Sequence, residues 1–251
     1  MKNLFPQMME VPDARTLAGG IPYWVFAFFF FPAILTLATG SAQGEEYIVW
    51  IEIGYHIINF VVIILFFFPY LKDSFLILQI NTKEVLCTAG LCAVIIVVLK
   101  VMILFLSLYC GNGLYSDAAF GSFHTSETDL LLFSTVVVGS QPLWGTLCFV
   151  LLAPITTSCL LYASIFAPMC ERKPWLAYLL MAFMCLIKHL LMSFCLWPIE
   201  QEMAIFLVTL PVHLIACWSY QKTDTVWTPI VVHTLSNLTM SLLSLIIMGI
   251  L

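Results

Sequence analysis

The chain has 251 residues, of which 62% are hydrophobic and only 9% charged, and its formal net charge is −5. A soluble domain carries roughly 25% charged residues, so this chain cannot cover a water-facing surface and lipid must be the solvent for most of it. No basic patch occurs, which excludes nucleic acid as a partner.

In lipid every backbone N–H and C=O must find its partner within the element, which leaves helices or closed barrels. A barrel strand alternates apolar and polar residues over about ten positions. The runs here are apolar all round and about twenty residues long, the length a helix needs to cross the hydrocarbon. The fold class is therefore all-α, a polytopic bundle of about seven spans forming one membrane domain over 1–251. In chain order the predicted spans are 21–42, 47–68, 86–109, 144–167, 175–197, 204–220 and 227–251. The first lacks an early small-residue cleavage site and reads as a retained signal anchor. Between the third and fourth lies a polar stretch, 111–129, with Asp117, Glu127 and Asp129. An apolar piece, 130–138, follows and fits a re-entrant or interfacial segment. Of nine cysteines, Cys87, Cys92, Cys148, Cys159, Cys185, Cys195 and Cys217 lie in apolar runs. No CxxC pair occurs, so they read as packing residues.

Orientation follows from Lys and Arg. Lys2, Arg15, Lys72, Lys83, Arg172, Lys173 and Lys222 all fall on one side of the predicted spans. The opposite connections carry Glu45, Glu46, Glu200 and Glu202 instead. The bias puts the N-terminus in the cytoplasm and the C-terminus outside.

Ionisable groups inside a membrane are costly, so each is a candidate functional residue. They are Glu52, His56, Lys100, Lys188, His189, His213 and His233, joined by the amides of Asn59 and Asn237. His233 and Asn237 are four apart and share one helical face. Such a pair can hold a water, a metal or a developing oxyanion, or simply cement helix packing. His189 lies near the middle of the fifth span, too deep to snorkel. Glu52 and His56 are also four apart and can neutralise each other. Neither HExxH nor GxSxG occurs.

Three stretches resemble the CPBP family, the CAAX-type intramembrane proteases and bacteriocin-processing enzymes also called the Abi family. The first is YQKTDTVWTPIVVHTLSNL, 220–238, in which Lys222, Thr223, Trp227, Pro229, His233 and Asn237 fit the family's last motif. The second is FMCLIKHLL, 183–191, in which His189 fits the family's FxxxH and Cys185 stands in the place of the Phe. The third is LLAPITTSCLLYASIF, 151–166, in which Ala153 and Pro154 fit. There the two glutamate places hold Thr157 and Ser158, and the arginine place holds Tyr162. An upstream stretch, 54–75, is similar to the opening helix and basic turn of many bacterial members. The family-like core covers about 144–251.

The resemblance implies peptide-bond hydrolysis within the membrane. A glutamate acts as general base on a water, which two histidines and the asparagine orient. Here His189, His233 and Asn237 would fill those orienting roles, while Thr157 and Ser158 cannot serve as the base. Losing such a base costs about 10²–10⁴ in rate. A metal, if one takes part, would have His189 and His233 as its candidate ligands. His213 and Cys217 stand where many members have glycines, and would spread the helices or fill the cavity.

Three readings follow. The first is a CPBP-type membrane protein with lost or altered peptidase activity. The second is an active endopeptidase using another base, with Ser158 as nucleophile and His189 or His233 as its base. The third is a non-catalytic protein that holds a membrane-embedded peptide or partner helix, as in bacteriocin immunity. A small transporter would instead need a polar path linking Glu52 and His56 to the central histidines. The family and the short connections point to a bacterial cytoplasmic membrane.

Overall fold

The computed structural model describes residues 11–26, 45–110, 148–195 and 199–250. The expected segments 111–129 and 130–138, and most of the first span, lie outside the described residues.

The described residues are helical almost throughout and contain no strand, so the protein is an all-α membrane helix bundle. Helix α1 is Ala14–Val25. It begins seven residues before the expected span because Asp13 caps it, accepting a hydrogen bond from the Thr16 N–H at 2.8 Å. A side-chain oxygen there satisfies one of the four amides that a helix start leaves open. Helix α2 is Glu45–Ile80 and α3 is Thr82–Cys110. They are separated only by Asn81, so Lys72 and Lys83, expected in a connection, both lie on helices. At about 1.5 Å per residue, the 36 residues of α2 run roughly 54 Å, well beyond the hydrocarbon thickness.

Residues 148–172 form one helical run, α4, in which Cys148–Leu152 and Ser158–Phe166 are π-helical. Pro154 and Pro168 lack the N–H groups that an α-helix would direct at the carbonyls of residues 150 and 164. The wider turn takes over around them: the Ala167 N–H bonds the Tyr162 carbonyl, and the Ser164 hydroxyl donates to the Cys159 carbonyl at 2.9 Å. Helices α5 (Pro174–Cys195), α6 (Ile199–Thr223) and α7 (Trp227–Ile250) complete the order. Each expected span from the second onward falls on one of the helices α2 to α7.

Among the described residues three stretches are long and apolar enough to cross a membrane: His56–Ile80, Thr82–Met102 and Val150–Arg172. The last is the centre of the bundle. It is 72% buried in protein, against 28% and 39% for the other two, and it packs against α1, α2, α5, α6 and α7. Helices α2 and α3 instead turn apolar side chains such as Leu65, Phe68, Leu91 and Val94 outward. Cys87 is exposed too, unlike the buried Cys92, Cys148, Cys159, Cys185 and Cys217.

The core joins Phe67 and Tyr70 of α2 to Tyr162 and Phe166 of α4, Met181 of α5 and Tyr220 of α6. Helix α1 lies close on α2 and α4 because Gly20 has no side chain. A Cβ there would stand 2.7 Å from the ring of the fully buried Phe67.

Candidate functional site

Four helices bring the polar residues of the membrane interior together. The π-helical part of α4 carries Ser158 and Tyr162, both fully buried. Helix α6 carries Thr209 and His213, four apart and on one face, at 4% and 6% exposure. Helix α7 carries His233, Ser236 and Asn237, all buried. Helix α5 carries His189, also buried.

The centre is Tyr162. Its hydroxyl lies 2.8 Å from His213 Nδ1 and 3.2 Å from His233 Nε2. The phenol has one proton and can donate it to only one ring. If the shorter contact takes that proton, His233 must carry its own on Nε2 and donate to the phenol oxygen. His233 Nδ1 is then a bare acceptor, and it has no hydrogen-bond partner among the described residues. Lys100, 1% exposed on α3, lies near enough to His233 for the two to interact electrostatically.

Next to this group, His189 Nε2 meets the Thr209 hydroxyl at 3.1 Å, and Thr209 also touches the Cys185 sulfur at 3.8 Å. The His189 ring stacks edge-on against Phe206. Thr209 was not singled out from sequence. Its signal was there in the four-residue spacing from His213, the same spacing that marks His233 and Asn237.

The residues in the glutamate places divide. Thr157 is partly exposed and Ser158 fully buried. The Ser158 hydroxyl has no hydrogen-bond partner among the described residues. A Ser158–histidine nucleophile pair is therefore not formed in this arrangement. No Asp or Glu is among the buried described residues. No group of three or more His, Cys, Asp or Glu side chains that could hold a metal occurs among them either. His189 and His233, the candidate ligands, hydrogen-bond instead to Thr209 and Tyr162. The side chains of Glu52 and Lys188 lie outside the described residues. His56 is buried on α2, and nearby Asn59 accepts a hydrogen bond from the Tyr23 hydroxyl.

The remaining motif residues hold the end of α6 against α7. Thr223 Oγ1 lies 2.5 Å from Thr228 Oγ1 and donates to the Ser219 carbonyl. Thr225 and Ser74 of α2 share a 2.8 Å hydroxyl contact. The Trp227 indole N–H donates to the Leu71 carbonyl at 3.1 Å. These bonds fix where α7 starts, and so where His233 stands.

A multi-helix membrane protein with a buried Tyr–His–His cluster is the class that fold and site define. Residues 139–239 match the family model described as type II CAAX prenyl endopeptidase Rce1-like. That match supports the resemblance to the CPBP family over that stretch. No curated protein and no solved structure matches the chain.

Proposed function

We propose that this is a CPBP-family membrane protein that has lost peptidase activity. The observation that carries the reading is the Tyr162 hydroxyl, which takes up His213 Nδ1 and His233 Nε2 at 2.8 and 3.2 Å. A hydrolytic site needs a general base within reach of a water. Here a neutral phenol occupies the histidine that would orient that water, and the buried described residues include no carboxylate. In this reading His189, His233 and Asn237 are the inherited orienting residues, Thr157 and Ser158 the lost base, and Tyr162 the group that closes the site. The protein works in a bacterial cytoplasmic membrane with its N-terminus in the cytoplasm.

One observation favours a binding role for the closed site. Ser158 Oγ, Ser236 Oγ and His233 Nδ1 are buried polar atoms with no partner among the described residues. Such atoms cost free energy unless something hydrogen-bonds to them. A membrane-embedded peptide end or partner helix that offers both donors and acceptors would satisfy them.

The test is a cleavage and binding assay in lipid vesicles with a fluorescent peptide ending in a prenylated CAAX sequence. The unchanged protein is expected not to cut it, and the Thr157→Glu, Ser158→Glu, Tyr162→Arg triple variant, which restores the base and opens the site, to gain cleavage. Cutting by the unchanged protein would overturn the reading. The binding role predicts that the unchanged protein holds the peptide, and that Ser236→Ala weakens that hold.

A further inference from the structure

Asp224 ends α6 under two strains. Its φ is 55°, the left-handed region that asparagine, aspartate and glycine tolerate best. Its N–H closes the helix end by bonding the Tyr220 carbonyl at 2.9 Å. Meanwhile its Oδ1 is buried with no hydrogen-bond partner among the described residues. The groups facing it offer no compensation. From α3 comes Glu84, a like charge that acts on it. From α4 comes the buried Cys170 thiol, which feels its charge. On α6, Lys222 pairs with Glu84 at 3.7 Å. From α2, the Ser74 hydroxyl bonds the neighbouring Thr225 and Val226 rather than Asp224, and Lys72 and Asp73 are exposed. Helix α7 begins with Trp227 and Thr228, which do not titrate in this range.

The same turn is the clasp between α2 and the α6–α7 pair. Ser74 Oγ accepts from the Val226 N–H at 3.1 Å, and Thr225 Oγ1 donates to the Ser74 carbonyl at 3.0 Å. Whatever loosens residues 224–226 weakens the hold of α2 on the start of α7, and α7 carries His233 and Asn237.

We propose that the α6–α7 turn is a pH-responsive latch: neutral Asp224 seats the turn on α2 and α3, and ionised Asp224 loosens it. Burial first, and then the Glu84 charge, push the Asp224 carboxyl up to about 6. The folded state therefore holds this proton more tightly than the unfolded chain does. The stabilisation is complete below the ordinary carboxylate value and is lost as pH rises through about 6. Above that, a half-buried carboxylate beside Glu84 works against the turn. The inference does not depend on whether the site is catalytic.

The experiment is backbone amide exchange over residues 222–232 of the full chain in lipid nanodiscs, corrected for intrinsic rates, at pH 3 and pH 7.5. The comparison is with Asp224→Asn, which keeps size and left-handed tolerance but cannot ionise. At pH 7.5 the unchanged protein should exchange about three- to tenfold faster than the variant, a modest factor because the group is partly solvated. At pH 3, below the ordinary carboxylate value, the two should match. Ser74→Ala, which removes the clasp itself, should raise exchange at both pH values. Equal exchange of the unchanged protein and Asp224→Asn at pH 7.5, or a difference of the same size at both pH values, would overturn the proposal.

Discussion

The Tyr162 hydroxyl lies 2.8 Å from His213 Nδ1. It joins the π-helical centre of α4 to α6 through two buried side chains. The same hydroxyl reaches His233 on α7, so one phenol holds three helices in register. Tyr162→Phe keeps the ring and removes only these bonds. Each buried imidazole left without its partner costs about 1–3 kcal/mol. The variant should therefore unfold at lower temperature in detergent, and the ring nitrogens of His213 and His233 should shift by NMR. Unchanged stability would mean that the hydroxyl is not their main partner.

Ser74 illustrates a different kind of contact. Its Oγ meets Thr225 Oγ1 at 2.8 Å and accepts from the Val226 N–H at 3.1 Å. Ser74→Ala leaves that amide without its partner in a buried turn, while Thr225 keeps its bond to the Ser74 carbonyl. A loss of about 1–3 kcal/mol is expected, measured by thermal or denaturant unfolding in micelles. Lys72→Ala, at an exposed position nearby, should change stability little.

Glycine positions separate close packing from helix propensity. A Cβ at Gly20 would stand 2.7 Å from Phe67, which is fully buried and cannot step aside. Gly20→Ala should cost about 1–3 kcal/mol through overpacking. At Gly54 a Cβ meets nothing within 4 Å. Gly54→Ala should be neutral or stabilising, since alanine favours a helix by up to about 1 kcal/mol. Equal effects of the two changes on unfolding would argue against the tight α1–α2 contact.

Sequence patterning revealed the helices because a lipid solvent demands long, largely apolar runs, and such runs fall on α2 to α7. It missed the length of α2 because Lys72 and Asp73 look like a connection. In the structure Tyr70, Leu71 and Ser74 of the same helix are buried against the rest of the bundle. The shared face of His233 and Asn237 was readable from a spacing of four. The Tyr162–His213 bond was not, since it joins residues 51 apart on different helices. A π-helical segment also moves side chains off the α-helical spacing on which such reading depends. Tyr162 could be recognised as a departure from the family's arginine, but the partners that departure brought could not.

Ser158 gives the sharpest test of whether the interior is dry or occupied. Its hydroxyl is fully buried and has no hydrogen-bond partner among the described residues. In an empty protein such a group works against folding, because it has given up water for nothing. Ser158→Ala removes the hydroxyl with little change in volume, so the purified, peptide-free protein should become more stable, by about 1–3 kcal/mol. If a peptide or partner helix fills the site, that segment supplies the missing bond. Adding the peptide should then stabilise the unchanged protein more than Ser158→Ala. Thermal unfolding of both proteins, with and without the prenylated peptide, separates the cases. A fall in stability for the peptide-free variant would mean that the Ser158 hydroxyl is already satisfied, and the binding role would lose one of the three atoms it rests on.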